Sequence, residues 1–386
     1  MTQSYDNLFQ SKLPQSTISI FSKMSLLAQQ HQAINLSQGF PDFDIDHKLN
    51  DLVTHYISKG FNQYAPMPGI IELRAVIAQK YKHYYNIDVD HDLEITITAG
   101  GTQGLFTAIG TLIHPGDEVI IFEPAYDSYS PSIQSFGGKV IPIELVTPDF
   151  AIDWEFVNSQ ITTKTKLIII NNPNNPTGKI LTANDIKQLE EIVQNHNLFI
   201  LSDEVYEHIV YDDKKHISVL SSEILKARSF VATSFGKVLH ATGWKIGYVI
   251  ANPFLTSEFR KLHQFNVFSV NTPAQYAIAK YLEDIDYYKT LNQIFQQKRD
   301  FVISELKNTN FKTLACEGTY FLLIDYSDNS TLPEMDYAIQ LTEKSKIATI
   351  PISAFYSNNL NQQLLRICFA KKESTLIQGI KNIRNI

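Results

Sequence analysis

Short apolar segments recur along the first two thirds of the chain, and each is followed by a polar or glycine-rich turn and a helix-like pattern. They have the length of buried strands and lie at residues 95–98, 119–122, 167–170, 199–201, 230–233 and 246–250. Buried strands that alternate with helices predict a mainly parallel sheet with helices on both faces. Ligands bind such sheets beyond the carboxyl ends of the strands, where the unusual polar residues of this chain cluster. The pattern therefore predicts an α/β fold with a site at that edge of the sheet.

The pattern changes after about Tyr287, where a long helical stretch is followed by apolar segments at residues 319–324 and 364–368. A chain of 386 residues is too long for one small core and fits a large domain plus a smaller one. We expect the N-terminal segment to join the C-terminal part in a small α+β domain. The predicted domains are a small one at residues 1–46 and 287–386 and a large one at 47–286.

Composition and charge exclude several classes of protein. Hydrophobic residues make up 44% and charged residues 19% of the chain, as is usual for a globular protein. The net charge of -7 argues against a broad nucleic-acid surface. The apolar runs are too short to span a bilayer and the N-terminus lacks a signal-peptide pattern, so we expect a cytoplasmic protein without nucleic-acid or membrane partners. Cys316 and Cys368 have neither metal-ligand nor disulfide spacing, so no metal site is predicted.

Four polar segments follow the predicted strands and carry the candidate chemistry. They lie at residues 171–178, 202–206, 234–237 and 242–248. Each alone has an ordinary explanation, because Asn-Pro-Thr-Gly forms turns, an acidic residue after a strand caps a helix, and most lysines are solvated. Their meaning depends on the combination.

In this order and spacing, the four segments resemble the class I and II aminotransferases of fold type I, which use pyridoxal 5'-phosphate (PLP). Residues 37–43 and 316–321 look most like the methionine and the glutamine-type kynurenine aminotransferases. The resemblance covers nearly the whole chain. It implies a large PLP-binding domain with a mainly parallel central sheet and a small α+β domain built from both chain ends.

The resemblance implies that Lys237 forms a Schiff base with PLP. Once substrate displaces it, the free amine would move the proton at the substrate Cα as general base and acid. Tyr206 is the alternative base. Asp203 would keep the ring nitrogen protonated, because a nearby carboxylate favours the cation. Asn175 and Tyr206 would donate hydrogen bonds to the phenolic oxygen of the ring.

The phosphate of PLP needs hydrogen-bond donors and positive charge. The resemblance assigns these to a helix N-terminus, a hydroxyl and an ammonium group, supplied by Gly100, Gly101, Thr102, Ser234 and Lys245. The chain departs from the commoner family pattern twice, with Gly236 where serine is frequent and Lys245 where arginine is frequent. The kynurenine-type subgroup shares this lysine.

Two tyrosines complete the predicted cofactor site. The Glu-Pro-x-Tyr context favours stacking of Tyr126 on the PLP ring. Tyr64 resembles the tyrosine that reaches the phosphate from the partner subunit. If it does so here, the active site requires a homodimer.

The predicted substrate site takes the α-carboxylate of an amino acid. Arg366 would bind it through a bidentate pair, with help from Asn175. Gly39 lies in a loop that would close over the substrate, where the absent side chain lets the backbone approach. Phe21 and Phe268, together with Tyr64 and Tyr126, suggest an apolar pocket for methionine, aromatic amino acids or kynurenine, with broad specificity.

Other functions remain open from the sequence. The same scaffold supports PLP-dependent carbon–sulfur β-lyases, and the shared core residues do not separate these from aminotransferases that pass the amino group to a 2-oxo acid. A non-catalytic PLP-binding effector module is a further alternative, although no room for a DNA-binding domain precedes Asn35. A nicotinamide site is disfavoured because no Gly-x-Gly-x-x-Gly follows the first strand.

Overall fold

The computed structural model describes residues 9–14, 16 and 18–386. The strands are β1 (Ile34–Asn35), β2 (Ile95–Thr98), β3 (Glu118–Glu123), β4 (Lys139–Glu144), β5 (Thr165–Asn171), β6 (Phe199–Asp203), β7 (Ser229–Ser234), β8 (Gly247–Ala251), β9 (Lys312–Thr313), β10 (Phe321–Asp325), β11 (Ile347–Ala348), β12 (Ile350–Pro351) and β13 (Leu364–Cys368).

The helices cover both sides of these strands. They are α1 (Ile20–Gln30), α2 (His47–Ser58), α3 (Ile71–Tyr85), α4 (Gly100–Leu112), α5 (Tyr129–Ser135), α6 (Trp154–Ser159), α7 (Ala183–Asn195), α8 (Glu223–Lys226), α9 (Phe235–Val238), α10 (Pro253–Asn266), α11 (Thr272–Tyr281), α12 (Tyr287–Leu306), α13 (Glu334–Lys344) and α14 (Glu373–Arg384). No helix in the described ranges is long and apolar enough to cross a membrane.

The main sheet has seven strands in the order β2-β8-β7-β6-β5-β3-β4. Strand β8 runs antiparallel to both of its neighbours, and the other pairs are parallel. This confirms the predicted α/β fold with a mainly parallel sheet. The edge strand β4 was not predicted, because most of its side chains are exposed or half-buried and no continuous apolar run marks it.

Alternate side chains of the central strands enter two different cores. Ile169 and Leu201 pack beside α4 and α10, whereas Ile168 and Ile200 belong to the larger core that includes α7. All four side chains are fully buried, and each contributes roughly 1.5–3 kcal/mol to stability. Because both faces of the sheet are covered, polar side chains concentrate where the strands end.

The two ends of the chain meet in a second group of strands. Strands β12, β13, β10 and β9 form an antiparallel sheet in that order, and β1 pairs in parallel with β11. Two hydrogen bonds extend the contact beyond β1, from Leu36 N to Ala348 O (3.0 Å) and from Cys368 N to Leu36 O (2.8 Å). This brings the segment after β1 next to β13.

Gly247, the first residue of β8, packs against the backbone at the start of α4. A Cβ atom at Gly247 would lie 2.5 Å from Thr233 O and 2.9 Å from Gly101 N. We expect Gly247→Ala to lower the free energy of unfolding, measured with urea, by about 1–3 kcal/mol, because rigid backbone must move.

The matched control is Gly243→Ala, since a Cβ atom at Gly243 would meet nothing within 4 Å. We expect that variant to unfold close to the native urea midpoint. Equal loss of stability in the two variants would contradict the proposed clash.

Candidate active site

A cavity of about 280 Å³ lies at the carboxyl ends of the main-sheet strands, and Arg366 of β13 also reaches it. Twelve of the predicted site residues line it together. They are Phe21, Gly39, Gly101, Thr102, Tyr126, Asn175, Asp203, Tyr206, Ser234, Lys237, Lys245 and Arg366. Three predicted residues do not line it, namely Gly100, which directly precedes Gly101, and Tyr64 and Phe268.

Lys237 lies on the short helix α9, three residues after the end of β7. Its Nζ lies 3.4 Å from Gly39 O and faces the rings of Tyr206 and Tyr320, 5.6 and 5.8 Å from their centroids. The surrounding protein desolvates the ammonium and lowers the pKa of Lys237 to about 8, although Cys368 and Asp203 act in the opposite direction. The neutral form, in which an amine can act as a nucleophile or base, is therefore accessible to Lys237 near neutral pH.

Asp203 is the last residue of β6 and is buried. Tyr129 Oη donates a hydrogen bond of 2.7 Å to its Oδ2. Burial raises the pKa of Asp203 to about 6, and the bond from Tyr129 and the Val205 amide oppose that rise. Within the described part of the chain no ammonium or guanidinium lies within 4 Å of this carboxylate. It is therefore suited to a cation presented from the cavity, such as a protonated pyridine nitrogen.

Arg366 is fully buried, and Phe321 covers its guanidinium at 3.9 Å. Its Nη1 donates to Asn175 Oδ1 (2.7 Å) and its Nη2 donates to Ser37 O (3.0 Å). Burial lowers the pKa of Arg366 to about 10, so it remains charged at neutral pH. No carboxylate of the described residues lies within 4 Å, and Nε has no hydrogen-bond partner among them. A carboxylate ligand would satisfy this buried charge.

The start of α4 forms a cradle for an anion. Gly100 has φ +79°, and a Cβ atom there would lie 3.3 Å from Lys245 Nζ. The free backbone N–H groups of this helix N-terminus and the Lys245 ammonium therefore occupy the same corner of the cavity, which Ser234 and Thr102 also line. This donor set fits the phosphate of PLP.

Two further contacts fix the walls of the cavity. The Asn175 N–H donates a bond of 2.7 Å to Asn171 Oδ1, which holds the turn after β5 in place. Tyr126 Oη lies 3.4 Å from Thr102 Oγ1, so its phenol ring is tethered beside the anion cradle. Both contacts leave the predicted ligand-facing groups in the cavity.

Tyr64 and Phe268 lie away from the cavity and contact each other. Their ring centroids are 5.4 Å apart, and the residues are 82% and 47% exposed. Within one chain neither residue contributes to the site. The role predicted for Tyr64 depends on contact with a second copy, whereas the predicted place of Phe268 in the substrate pocket stays a prediction.

The sequence did not single out several residues that build the site. Tyr129 holds Asp203, and Tyr320, which is buried, donates a hydrogen bond of 2.7 Å to Gly39 O. Phe321 packs on both Gly39 and Arg366, since a Cβ atom at Gly39 would lie 2.9 Å from its ring. Tyr320 and Phe321 belong to the segment at 316–321 that carried part of the resemblance, but their apolar context gave no sign of a site.

Comparison with known proteins agrees with this geometry. Residues 31–383 match the family model described as aminotransferase class I and II. That match covers most of the chain, and fold, cavity and polar residues agree with it. The protein belongs to the class I and II aminotransferases, a family that generally depends on PLP.

Individual relatives cover almost the whole chain. A methionine aminotransferase of Escherichia coli K12 is 46% identical over 378 residues, 98% of each chain. A crystal structure of an E. coli protein with methionine aminotransferase function superposes with a TM-score of 0.96 at 45% identity, covering 98% of this chain and 99% of that one. A human kynurenine--oxoglutarate transaminase 1 is 31% identical over 91% of each chain.

The lowered pKa of Lys237 predicts how stability depends on pH in the cofactor-free protein. Burial moves this pKa from 10.5 to about 8. Between these pH values the unfolded chain binds a proton that the folded protein does not, so the stability of the folded protein is highest above pH 10.5 and is lost as pH falls through 8. We expect the difference in unfolding free energy between native protein and Lys237→Met to fall by about 3 kcal/mol over that range.

Urea unfolding at several pH values measures this difference. The control is Lys187→Met, because the Lys187 side chain is 70% exposed and should give a difference that stays constant over the same range. A constant difference for Lys237→Met as well would contradict the lowered pKa.

Proposed function

We propose that this aminotransferase binds PLP through Lys237 and transfers the amino group of methionine, an aromatic amino acid or kynurenine to a 2-oxo acid. The observation that carries the proposal is the cavity itself. It brings a lysine of lowered pKa, a buried carboxylate and a buried arginine without a carboxylate partner around a space of about 280 Å³. The similarity to a methionine aminotransferase and a kynurenine transaminase supports the choice of substrates.

Bound PLP would supply an electron sink for the bonding electrons of the substrate Cα. The residues of this chain hold it in place. Asp203 keeps the ring nitrogen protonated, and its partner Tyr129 fixes the carboxylate. Asn175 and Tyr206 donate to the phenolic oxygen of the ring.

The remaining cofactor contacts follow from the walls of the cavity. The phosphate is bound by the start of α4 and by side chains that share that corner, namely Gly100, Gly101, Thr102, Ser234 and Lys245. Tyr126 packs against the ring.

Substrate is oriented by its carboxylate. Arg366 and Asn175 bind the α-carboxylate, and the Lys237 amine then moves the proton at Cα. Arg366 is the only arginine that lines the cavity within the described part of the chain, so no second guanidinium awaits an acidic side chain. Phe21, Phe40 and Leu105 offer an apolar surface instead, which discriminates weakly among methionine, phenylalanine and kynurenine.

A homodimer completes this proposal. Tyr64 and Phe268 form an exposed aromatic pair, with ring centroids 5.4 Å apart and exposed fractions of 82% and 47%, and an exposed aromatic patch is typical of a contact surface. In the dimer Tyr64 would reach the phosphate in the partner's site. We also propose that residues 1–46 and 287–386 form a small domain, of which residues 1–8, 15 and 17 lie outside the described ranges, and that residues 47–286 form a large one. The proposed location is the cytoplasm.

The amine of Lys237 is central to the reaction. We expect Lys237→Ala to slow methionine-dependent formation of amino acid from a 2-oxo acid by roughly 10²–10⁴-fold, because the proton at Cα loses its base. Product analysis by chromatography measures the rate, with Lys187→Ala as the surface control. Activity of Lys237→Ala at the native rate, or faster turnover of aspartate than of methionine by the native enzyme, would overturn the proposal.

The dimer can be tested by complementation between two defective variants. We expect Tyr64→Ala and Lys237→Ala each to be impaired alone, and their mixture to regain up to about a quarter of native activity, because one site in each hybrid dimer is intact. The measurement is the transamination rate after the two chains are unfolded and refolded together. If the refolded mixture is no more active than the separately refolded variants, Tyr64 does not act across the interface.

A further inference from the structure

A buried polar cluster lies behind the catalytic segment that follows β6. It consists of Lys80, Tyr85, Glu207 and Tyr248, and we call it the Lys80 cluster. Lys80 Nζ lies 2.6 Å from Glu207 Oε1 and 2.7 Å from Tyr248 Oη. Tyr85 Oη donates a bond of 2.8 Å to Glu207 Oε2. The side chains of Lys80 and Glu207 are only 2% and 3% exposed.

None of these four side chains lines the active-site cavity, so the reaction does not use them directly. A buried ion pair is weak support for stability, since removing two charges from water costs several kcal/mol. Apolar side chains of similar volume would stabilise the fold as well as this ion pair does. The pair therefore calls for another explanation.

The position of Glu207 supplies one. It directly follows Tyr206 and lies four residues after Asp203, which both line the cavity. Another carboxylate of the same segment, Glu204, is also buried and accepts bonds from Ser202 Oγ (2.8 Å) and Val219 N (3.2 Å). Asp203 and Tyr206 thus face the cavity, while Glu204 and Glu207 anchor the same stretch of backbone in the protein interior.

The cluster also reaches the other cofactor-binding segments. Tyr248 lies on β8 directly opposite Thr233 of β7, and the next residue of β7 is Ser234. Strand β8 begins two residues after Lys245. One set of hydrogen bonds therefore ties the segment of Asp203 and Tyr206 to the strand pair next to Ser234 and Lys245.

The charges around the cluster are consistent with an intact ion pair. Burial alone would raise the pKa of Glu207, but the ammonium of Lys80 outweighs it and holds that pKa well below its usual value. Burial lowers the pKa of Lys80, and the carboxylate of Glu207 opposes that change. His208 Nε2 lies 3.8 Å from Glu207 Oε1, and burial lowers the pKa of His208 to about 3, so this imidazole is neutral. His216 pairs with Glu204 at 2.9 Å. Lys80 also lies over the Tyr81 ring at 3.9 Å.

We propose that Glu207, held by Lys80, Tyr85 and Tyr248, is a positioning residue that holds Tyr206 and Asp203 against the cofactor ring. The inference rests on the roles proposed above for Tyr206 and Asp203. It predicts that a variant without the hydrogen bonds of the Lys80 cluster loses catalytic rate even when its urea midpoint is native.

The test compares Glu207→Gln with the double variant Lys80→Met/Glu207→Leu in the PLP-loaded enzyme. The single variant leaves a buried ammonium without its counter-charge and should lower the urea midpoint, whereas the apolar pair should recover it. We expect both to lose kcat for methionine by roughly 10–100-fold with KM changed less than roughly threefold, because small misplacements of reacting groups are costly.

A second readout separates positioning from general damage. The proposed hydrogen bond from Tyr206 to the phenolic oxygen of PLP would change the pH midpoint of the visible absorbance of the PLP-loaded enzyme, so both variants should shift that midpoint in the same direction as Tyr206→Phe does. The matched control is Arg74→Met, which removes a buried arginine from the same helix, α3, and its ion pair with Asp92 (2.8 Å). It should lose stability but keep the native kcat and midpoint.

Every outcome of these measurements decides the proposal. A stable double variant with native kcat and native midpoint would overturn it, as would equal kcat losses in Arg74→Met. If Tyr206→Phe itself keeps the native kcat and midpoint, the proposed role of Tyr206 fails instead. Should the double variant not fold, Tyr248→Phe decides, because it removes only the hydroxyl that contacts both charges; a native kcat and midpoint there would reject the proposal.

Discussion

The site depends on one constraint, that parallel strands β5, β6 and β7 end at the same edge of a sheet covered on both faces. Asn171 and Asp203 are register partners at that edge, and Ser234 ends the neighbouring strand. Asp203 is buried there, so its charge must be compensated by protein or ligand. Asp203 and Lys237 show the result, with pKa values of about 6 and 8. The cavity keeps them from pairing directly, which leaves room for a cofactor between them.

The second half of the site comes from a different sheet. Arg366 on β13 faces the same cavity, and after burial its positive charge is one of the effects that lower the pKa of Lys237. An anion bound to Arg366 would weaken that repulsion. If Arg366 binds the substrate carboxylate as proposed, substrate binding and the proton affinity of the Lys237 amine are coupled through the cavity, without any contact between the two side chains.

Much of the fold and site followed from the sequence, because buried strands leave continuous apolar runs and the polar segments stand at their ends. The resemblance of these polar segments to the class I and II aminotransferases then singled out Asp203 and Lys237. Strand β4 was missed because an edge strand needs no apolar run. Tyr129 and the Lys80 cluster were missed for another reason. Their partners lie far away in the chain; Lys80 and Glu207, for example, are 127 positions apart. A single sequence does not show which of its distant residues pair.

The hydrogen bond from Arg366 Nη2 to Ser37 O joins residues 329 positions apart. During synthesis the segment after β1 leaves the ribosome long before β11 and β13, which bind it. The main sheet has all of its strands once β8 has been made, whereas β13, which carries Arg366, is made later. Contacts of such long sequence separation form slowly. The nascent protein therefore acquires the edge of the sheet proposed to bind the cofactor before it acquires the arginine proposed to bind the substrate.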